Sequence, residues 1–284
     1  MGIASRFADA IARRLRTDEG GAAVSEARAF APAKPILDVR HGLDVPQDTI
    51  VHYGVGDIHG MRGLLDELIA LIEADSAIRD DRAVVIFLGD LVNRGPSSRQ
   101  VIERLIAGPQ RNGDVWITLR GNHDQLLIDA VSGKSEAAFR QWMQKGGLET
   151  LASYGVSRKD ASLSRARRAI PSGHLTFLES LPFSYRAGDH FFVHAGIDPR
   201  RPLDRQSEAA MMTIRDPFHR GSHLLPFTVV HGHVPSPSGP LIGPQRIGVD
   251  TGAYSSGVLT AVALREGRKP HFIKTSKERA RAKR

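Results

Sequence analysis

Gly56-Asp57-Ile58-His59-Gly60, Gly89-Asp90-Leu91-Val92-Asn93-Arg94-Gly95 and Gly121-Asn122-His123-Asp124 decide how this chain is read. Each places oxygen or imidazole side chains directly after an apolar, β-branched run: Thr49 to Val55, Ala83 to Leu88 and Val115 to Leu119. Runs of that kind suit buried parallel strands. Residues 57, 90 and 123 advance by the same 33 positions, the length of a βαβ unit. The connections between them carry helical patterns. In the first, Leu64, Leu65, Leu68, Ile69, Leu71 and Ile72 share a face opposite Asp66, Glu67 and Glu73. In the second, Ser97 and Ser98 stand where they can cap a helix running to about Ala107, which Gly108-Pro109 then stops. Ligands of open α/β sheets collect outside the carboxyl ends of parallel strands, so Asp57, Asp90 and Asn122 are expected at one place.

The chemistry of such a cluster is narrow. Asp57 and His59 are two apart on an extended stretch and can face one cation together. Asp90, arriving from the neighbouring strand, has two carboxylate oxygens with which to bridge two cations. Asn122 adds a neutral oxygen, and the chain contains no cysteine. Oxygen and imidazole without thiolate favour manganese, iron or zinc in a dinuclear hydrolytic site over a structural zinc cage or an iron–sulfur cluster.

Further motifs follow in order: Val193-His194-Ala195-Gly196, Ile214-Arg215-Asp216, Val230-His231-Gly232-His233 and Val249-Asp250-Thr251-Gly252-Ala253-Tyr254. With them the chain resembles the calcineurin-like metallophosphoesterases, and within these the bacterial phosphoprotein phosphatase branch, from Ile50 to Leu264. The resemblance implies an α/β fold, a four-layer α-β-β-α sandwich of two mixed sheets flanked by helices. It implies a phosphomonoesterase acting on phosphoserine or phosphothreonine in proteins, with two divalent metal ions, manganese first and iron or zinc as alternatives. Asp57, His59 and Asp90 would hold one ion; Asp90, Asn122, His194 and His233 would hold the other. A hydroxide bridging the ions would be the nucleophile, without a covalent enzyme intermediate. Arg94 and Arg215, with Asn122, would bind the phosphate, and His123 would protonate the departing oxygen.

Two positions depart from the protein phosphatase pattern. Where that branch usually has an aspartate beside the catalytic histidine, this chain has Asn93, which can orient His123 but stabilises its protonated form less. A neutral residue there is familiar from the diadenosine tetraphosphate hydrolases, which share the motifs, and this defines the alternative substrate class. Asp124 stands where glutamate is common, and is expected to brace the site. In the other direction, Gly146 to Tyr154, His194 to Ile197 and Gly248 to Gly257 look more like the protein phosphatase branch. Nucleases and cyclic phosphodiesterases of the superfamily commonly carry a histidine two residues after the one matching His233; here that residue is Pro235. His231 is read as structural, Asp250 as a satisfier of turn amides or, with Tyr254, a lining residue. A non-catalytic phosphate- or metal-binding module is a third class, against which the complete ligand set and Arg94 weigh.

The 284 residues, 41% of them hydrophobic, suffice for one large core. No run of eighteen apolar residues predicts a membrane-spanning helix, and Met1 to Arg16 lacks the features of a secretory signal, so a cytoplasmic protein is expected. The formal charge is +8, but Arg265 to Arg284 alone holds nine Lys or Arg against two Glu. Specific nucleic-acid binding is therefore not expected; a basic terminal run is read as solvated. The basic stretch Arg158 to Arg168 is read as a solvated face or an aid to anionic substrates, and the partner as a phosphorylated protein or small phosphoester. Ile3, Phe7, Ile11 and Leu15 suggest a short docking helix, and Gly20 to Pro46 a linker. The division is thus an extension over 1–48, a catalytic domain over 49–264 and a basic tail over 265–284. Between the third and fourth motifs, Ala137 to Tyr154, Asp160 to Ala169 and His174 to Leu181 read as helices framing substrate access. Phe191 to Val193, Thr228 to Val230, Arg246 to Val249 and Val258 to Ala263 read as the remaining strands.

Overall fold

The computed structural model describes residues 37–38, 49–221 and 225–276, and the strands within them build two sheets. In chain order these are β1 (Leu37–Asp38), β2 (Ile50–Val55), β3 (Arg82–Phe87), β4 (Val115–Thr118), β5 (Ser184–Ala187) and β6 (His190–Val193). After them come β7 (Thr228–His231), β8 (Leu241–Gly243), β9 (Arg246–Gly248), β10 (Thr260–Leu264) and β11 (His271–Lys274). One sheet has the order β11-β10-β2-β3-β4, with β2, β3 and β4 parallel and β10 and β11 antiparallel. The other runs β1-β5-β6-β7-β9-β8, with β6, β7 and β9 parallel.

Alternation along the strands decides how the layers stack. On β3 and the residue after it, Val84, Ile86 and Leu88 meet Phe192, Val230, Ile247 and Val249 of the opposite sheet, forming the core between the sheets. Ala83, Val85 and Phe87 point the other way, with Val51, Tyr53 and Val55, into the helical layer. That layer contains α1 (Arg62–Ala77), α2 (Ser98–Ala107) and α3 (Asn122–Val131), whose Leu65, Leu68, Ile72, Val101, Ile102 and Leu127 are buried there. The far face of the second sheet, Phe191, Val193 and Val229, is covered by Met211 and Met212 of the short helix Glu208–Thr213 and by Phe218 and Phe227. The intervening helices are α4 (Glu136–Trp142), α5 (Leu148–Ser153), α6 (Leu163–Ala169), α7 (Ser172–Ser180) and α8 (Glu208–Thr213), with α9 (Ala253–Ser256) after the last motif. The result is the expected four-layer α/β sandwich of two mixed sheets.

Several local expectations change. The helix read over Ala137 to Tyr154 is two helices joined by a π turn, Met143–Gly147, in which Lys145 and Gly146 leave helical geometry. Ser97 makes no capping bond, and Ser98 turns its hydroxyl back to the second motif instead. The stretch read as a tail from Arg265 starts inside the fold. Arg265 pairs with Asp75 at 2.9 Å and Asp81 at 2.7 Å, and β11 extends the first sheet. Leu37–Asp38, within the expected N-terminal extension, pairs in parallel with β5. The helix read at Ile3 to Leu15, most of the linker at Gly20 to Pro46 and the last residues of the tail lie outside the described residues. Among the described residues no helix is long and apolar enough to cross a membrane.

Candidate active site

Six parallel strand ends, three from each sheet, deliver the motif residues to one place. Asp57 follows β2, Asp90 follows β3 and Asn122 follows β4; His194 follows β6, His233 follows β7 and Asp250 follows β9. The loops are tight and strained. His59, Asp90, Asn93, Arg94 and His233 all have positive φ, between 46° and 73°. Such conformations cost non-glycine residues about 1–3 kcal/mol each and persist only where the surroundings overdetermine them. Two glycines make room for carboxylates: a Cβ at Gly121 would overlap the Asp90 carboxylate, and one at Gly232 would overlap that of Asp57.

Asp90 stands between two donor clusters. Its Oδ2 is 3.5 Å from His59 Nε2 and its Oδ1 is 3.5 Å from His194 Nε2. Asp57 Oδ2 lies 3.9 Å from His59 Nε2, and Asn122 Oδ1 lies 3.1 Å from His194 Nε2. The ligand atoms of Asp90, His194 and His233 all fall within 4.8 Å of one another, as do those of His59, Asp90 and His123. In two of the imidazoles the nitrogen not facing the clusters is engaged: His59 Nδ1 is 2.9 Å from the Val92 carbonyl and His194 Nδ1 is 2.9 Å from the Leu88 carbonyl. These carbonyls accept from Nδ1–H, which leaves each Nε2 lone pair pointing inward.

The electrostatics of this cavity fit divalent cations. Burial, together with Asp250 and Asp90, pushes the Asp57 carboxyl well above its usual range. Burial likewise pushes Asp90 up to about 7, against the pull of the His123 backbone N–H and the Arg94 charge. Asp250 is also raised by burial. The imidazoles move the opposite way: burial pushes His59 and His233 down to about 3 and His194 down to about 4. The site thus disfavours both anionic carboxylates crowded together and imidazolium, while a divalent cation needs carboxylates and neutral imidazoles, and its charge relieves the crowding. With donor atoms from Asp90 on both sides, the donor set suits two ions.

Around this centre, Asp124 braces the loops as expected: Leu91 N–H donates to its Oδ1 at 3.0 Å and Gly121 N–H to its Oδ2 at 2.9 Å. Asp250 Oδ1 accepts from Gly252 N–H at 2.8 Å, and the residue also adds to the charge felt by Asp57. Tyr254 lines the site, its ring 4.7 Å beneath the Arg94 guanidinium and 5.5 Å from His59. Arg94 is half-buried, with Nη2 3.1 Å from His123 Nε2. Arg215 sits on an exposed loop, close enough to His233 for its charge to lower that imidazole's pKa. His231 stays outside the donor clusters, buried against Phe218 and His219.

Motif reading does not find one part of the site, a buried polar knot behind His123. Asn93 Oδ1 accepts from Trp142 Nε1–H at 2.8 Å and from Thr150 Oγ1 at 2.9 Å, while its Nδ2 faces His123 Nδ1 at 2.9 Å. Asn93 N–H donates to Thr150 Oγ1 at 2.9 Å and Ser98 Oγ at 3.1 Å. Asn93, Trp142, Thr150 and Ser98 are fully buried. The sequence signal was the stretch Gly146 to Tyr154, noticed only as a resemblance; nothing in it shows that Thr150 touches residue 93.

Paired donor clusters sharing one carboxylate, flanked by an arginine and a histidine at the converging strand ends of two sheets, define a metal-dependent phosphoesterase. The chain belongs to the calcineurin-like phosphoesterase family, whose profile matches residues 53–258. Among curated proteins it is similar to symmetrical bis(5'-nucleosyl)-tetraphosphatases. That of Methylococcus capsulatus is 33% identical over 147 residues, 52% of this chain and 43% of the relative. That of Acidovorax sp. strain JS42 is 38% identical over 152 residues, 52% of this chain and 44% of the relative. The matched stretch thus spans less than half of those relatives' length. Among solved structures, one assigned provisionally as a diadenosine tetraphosphatase superposes with a TM-score of 0.55 at 26% identity, covering 82% of this chain and 96% of its own.

Proposed function

We propose that this metallophosphoesterase cleaves a phosphoanhydride bond in nucleoside polyphosphates of the dinucleoside tetraphosphate type. The similarity to symmetrical bis(5'-nucleosyl)-tetraphosphatases is the observation that carries this reading. It displaces the expectation of a phosphoserine and phosphothreonine protein phosphatase, which rested on resemblance in Gly146 to Tyr154 and the last motifs. Asn93 supports the same choice on physical grounds. A serine or threonine alkoxide leaves poorly without a proton, so an ester hydrolase gains from a carboxylate that sustains a protonated histidine. A nucleoside phosphate leaves as a stabilised anion and needs that proton far less. The neutral amide at Asn93 suits the second case.

In this reading Asp57, His59 and Asp90 hold one divalent ion, and Asp90, Asn122, His194 and His233 hold the other. Such ions, when bound, supply Lewis acidity and lower the pKa of water to roughly 7. Arg94, steadied by Tyr254, clamps the phosphate oxygens, with Arg215 approaching from the side of His233. Asn122 serves both its ion and the phosphate. The test compares diadenosine tetraphosphate with a phosphopeptide panel, using manganese-loaded protein and Asp90→Asn as the inactive control. Turnover of the dinucleotide well above any phosphopeptide is expected. Hydrolysis of phosphopeptides alone would return the protein phosphatase reading, and manganese binding without turnover of either would favour a non-catalytic module.

A further inference from the structure

We propose that Trp142 and Thr150 are positioning residues that fix His123 in the tautomer with its single ring proton on Nε2, where it and Arg94 Nη2 form a two-pronged donor for one oxygen of the departing phosphate. The inference deepens the phosphoanhydride reading and rests on it for the identity of that oxygen. Its starting point is the knot behind the histidine. An indole N–H can only donate, so the Asn93 atom 2.8 Å from Trp142 Nε1 is the amide oxygen. Thr150 Oγ1, 2.9 Å away, gives that oxygen its second donor. Turning the amide over would set an NH2 group against an indole N–H in a fully buried place, leaving donors unpaired. The amide NH2 therefore faces His123 Nδ1 at 2.9 Å, and since it too only donates, Nδ1 is the acceptor.

The consequence lies across the ring. A neutral imidazole whose Nδ1 accepts carries its proton on Nε2, and Arg94 Nη2 stands 3.1 Å from that nitrogen. Two donors then stand 3.1 Å apart, and among the described residues no protein oxygen accepts a hydrogen bond from this His123 nitrogen. Of the two contacts to His123, the one to Asn93 is buried and doubly anchored, whereas Arg94 is half-buried on a long side chain. The conflict is thus relieved at the Arg94 side, by an oxygen that accepts from both groups. A neutral Nε2–H gives such an oxygen a hydrogen bond; it does not give up the proton, since that would leave an imidazolate. His123 is accordingly a fixed dipole for an oxygen that leaves as a stabilised anion, in place of the proton donor expected from the protein phosphatase resemblance. The cap segment Glu136 to Ser153 decides this through Trp142 and Thr150, although neither residue reaches the substrate.

The test reads the ring nitrogens directly. Full-length, zinc-loaded protein labelled with 15N is examined by long-range 1H–15N correlation of its histidine rings, with His123 assigned by His123→Gln. The expected spectrum has Nδ1 in the unprotonated range and Nε2 in the protonated range. A proton on Nδ1, or an Nε2 without one, overturns the proposal. Trp142→Phe keeps the aromatic volume and removes one anchor; Thr150→Val removes the other, and Thr150→Ser restores it. The first two are expected to mix the tautomers and lower kcat on diadenosine tetraphosphate on the order of tenfold with KM little changed, while Thr150→Ser stays near the parent. Should Trp142→Phe fail to fold, the Thr150 pair carries the comparison. Asn93→Asp is expected to move the proton to Nδ1 and to raise turnover of phosphoserine peptides relative to the dinucleotide. Wild-type tautomers in Thr150→Val and Trp142→Phe overturn the positioning role. An Nε2–H spectrum in a protein that turns over no phosphoanhydride would refute the substrate reading instead.

Discussion

Lowering the pH should strip the metal site through its carboxylates and not through its histidines. Asp90 is the group to follow, because its two oxygens face His59 Nε2 and His194 Nε2 at 3.5 Å each. Burial holds its carboxyl up to about 7, and Asp57 beside it is also raised well above its usual range by burial and by Asp250 and Asp90. His59, His233 and His194, pushed down to about 3, 3 and 4, are already neutral over the whole range in which Asp90 titrates. The sign follows. In the metal-free site a raised carboxyl holds a proton below about pH 7, that proton must leave when an ion enters, and apparent affinity falls as pH drops through that value. Well below that value one displaced proton makes affinity change about tenfold per pH unit, and with the site half protonated at pH 7 manganese should bind on the order of fifteenfold more weakly at about pH 5.5 than at pH 7. A second proton, from Asp57 and Asp250, would steepen the slope. Titration calorimetry in two buffers of different ionisation enthalpy measures both the affinity and the number of protons released. Constant affinity from pH 7.5 to about 5.5 with no proton release would refute the electrostatic picture of the site.

Three further outcomes follow from the same geometry. Asp90→Asn offers one neutral oxygen and one N–H donor to the two clusters, so metal stoichiometry by elemental analysis should drop and hydrolysis should fall by at least about a thousandfold. Gly146→Ala places a Cβ 2.7 Å from the Arg94 backbone nitrogen at a φ of +93°. It should destabilise the fold by about 1–2 kcal/mol in chemical denaturation and lower kcat/KM about tenfold or more by displacing Arg94, with manganese affinity unchanged in calorimetry. Gly232→Ala should do the reverse, pushing the Asp57 carboxylate aside and weakening manganese binding while leaving the Arg94 loop in place; a thermal scan with and without manganese reads the lost ligand stabilisation.

The strands behind the first three motifs were legible from their continuous apolar, β-branched runs, which burial on both faces demands of β2 and β3, and Ile50–Val55, Arg82–Phe87 and Val115–Thr118 match within a residue or two. The flanking helix Arg62–Ala77 was equally plain from its apolar face. Besides the two-residue β1, strands β5, β8 and β11 were not anticipated. They are three or four residues long, two of them at sheet edges, and a short run such as His271–Lys274 carries too little period to distinguish it from a tail. The candidate ligand residues came from motif resemblance, and the fold brings them together. The resemblance implied protein substrates, whereas the curated proteins this chain is similar to are symmetrical bis(5'-nucleosyl)-tetraphosphatases.

By itself the sequence determined the strands and the first helix around the three leading motifs, the candidate oxygen and imidazole donors and the reaction class, since each is written in local patterns of a few residues. Only the tertiary structure decided the surroundings of Asn93. Trp142 and Thr150 lie 49 and 57 residues away from it, across a helix broken at Gly146, and their two donors meet its one oxygen through packing alone. The direction of an amide, and with it the nitrogen on which a histidine keeps its proton, depends on partners in space. No spacing along the chain encodes it.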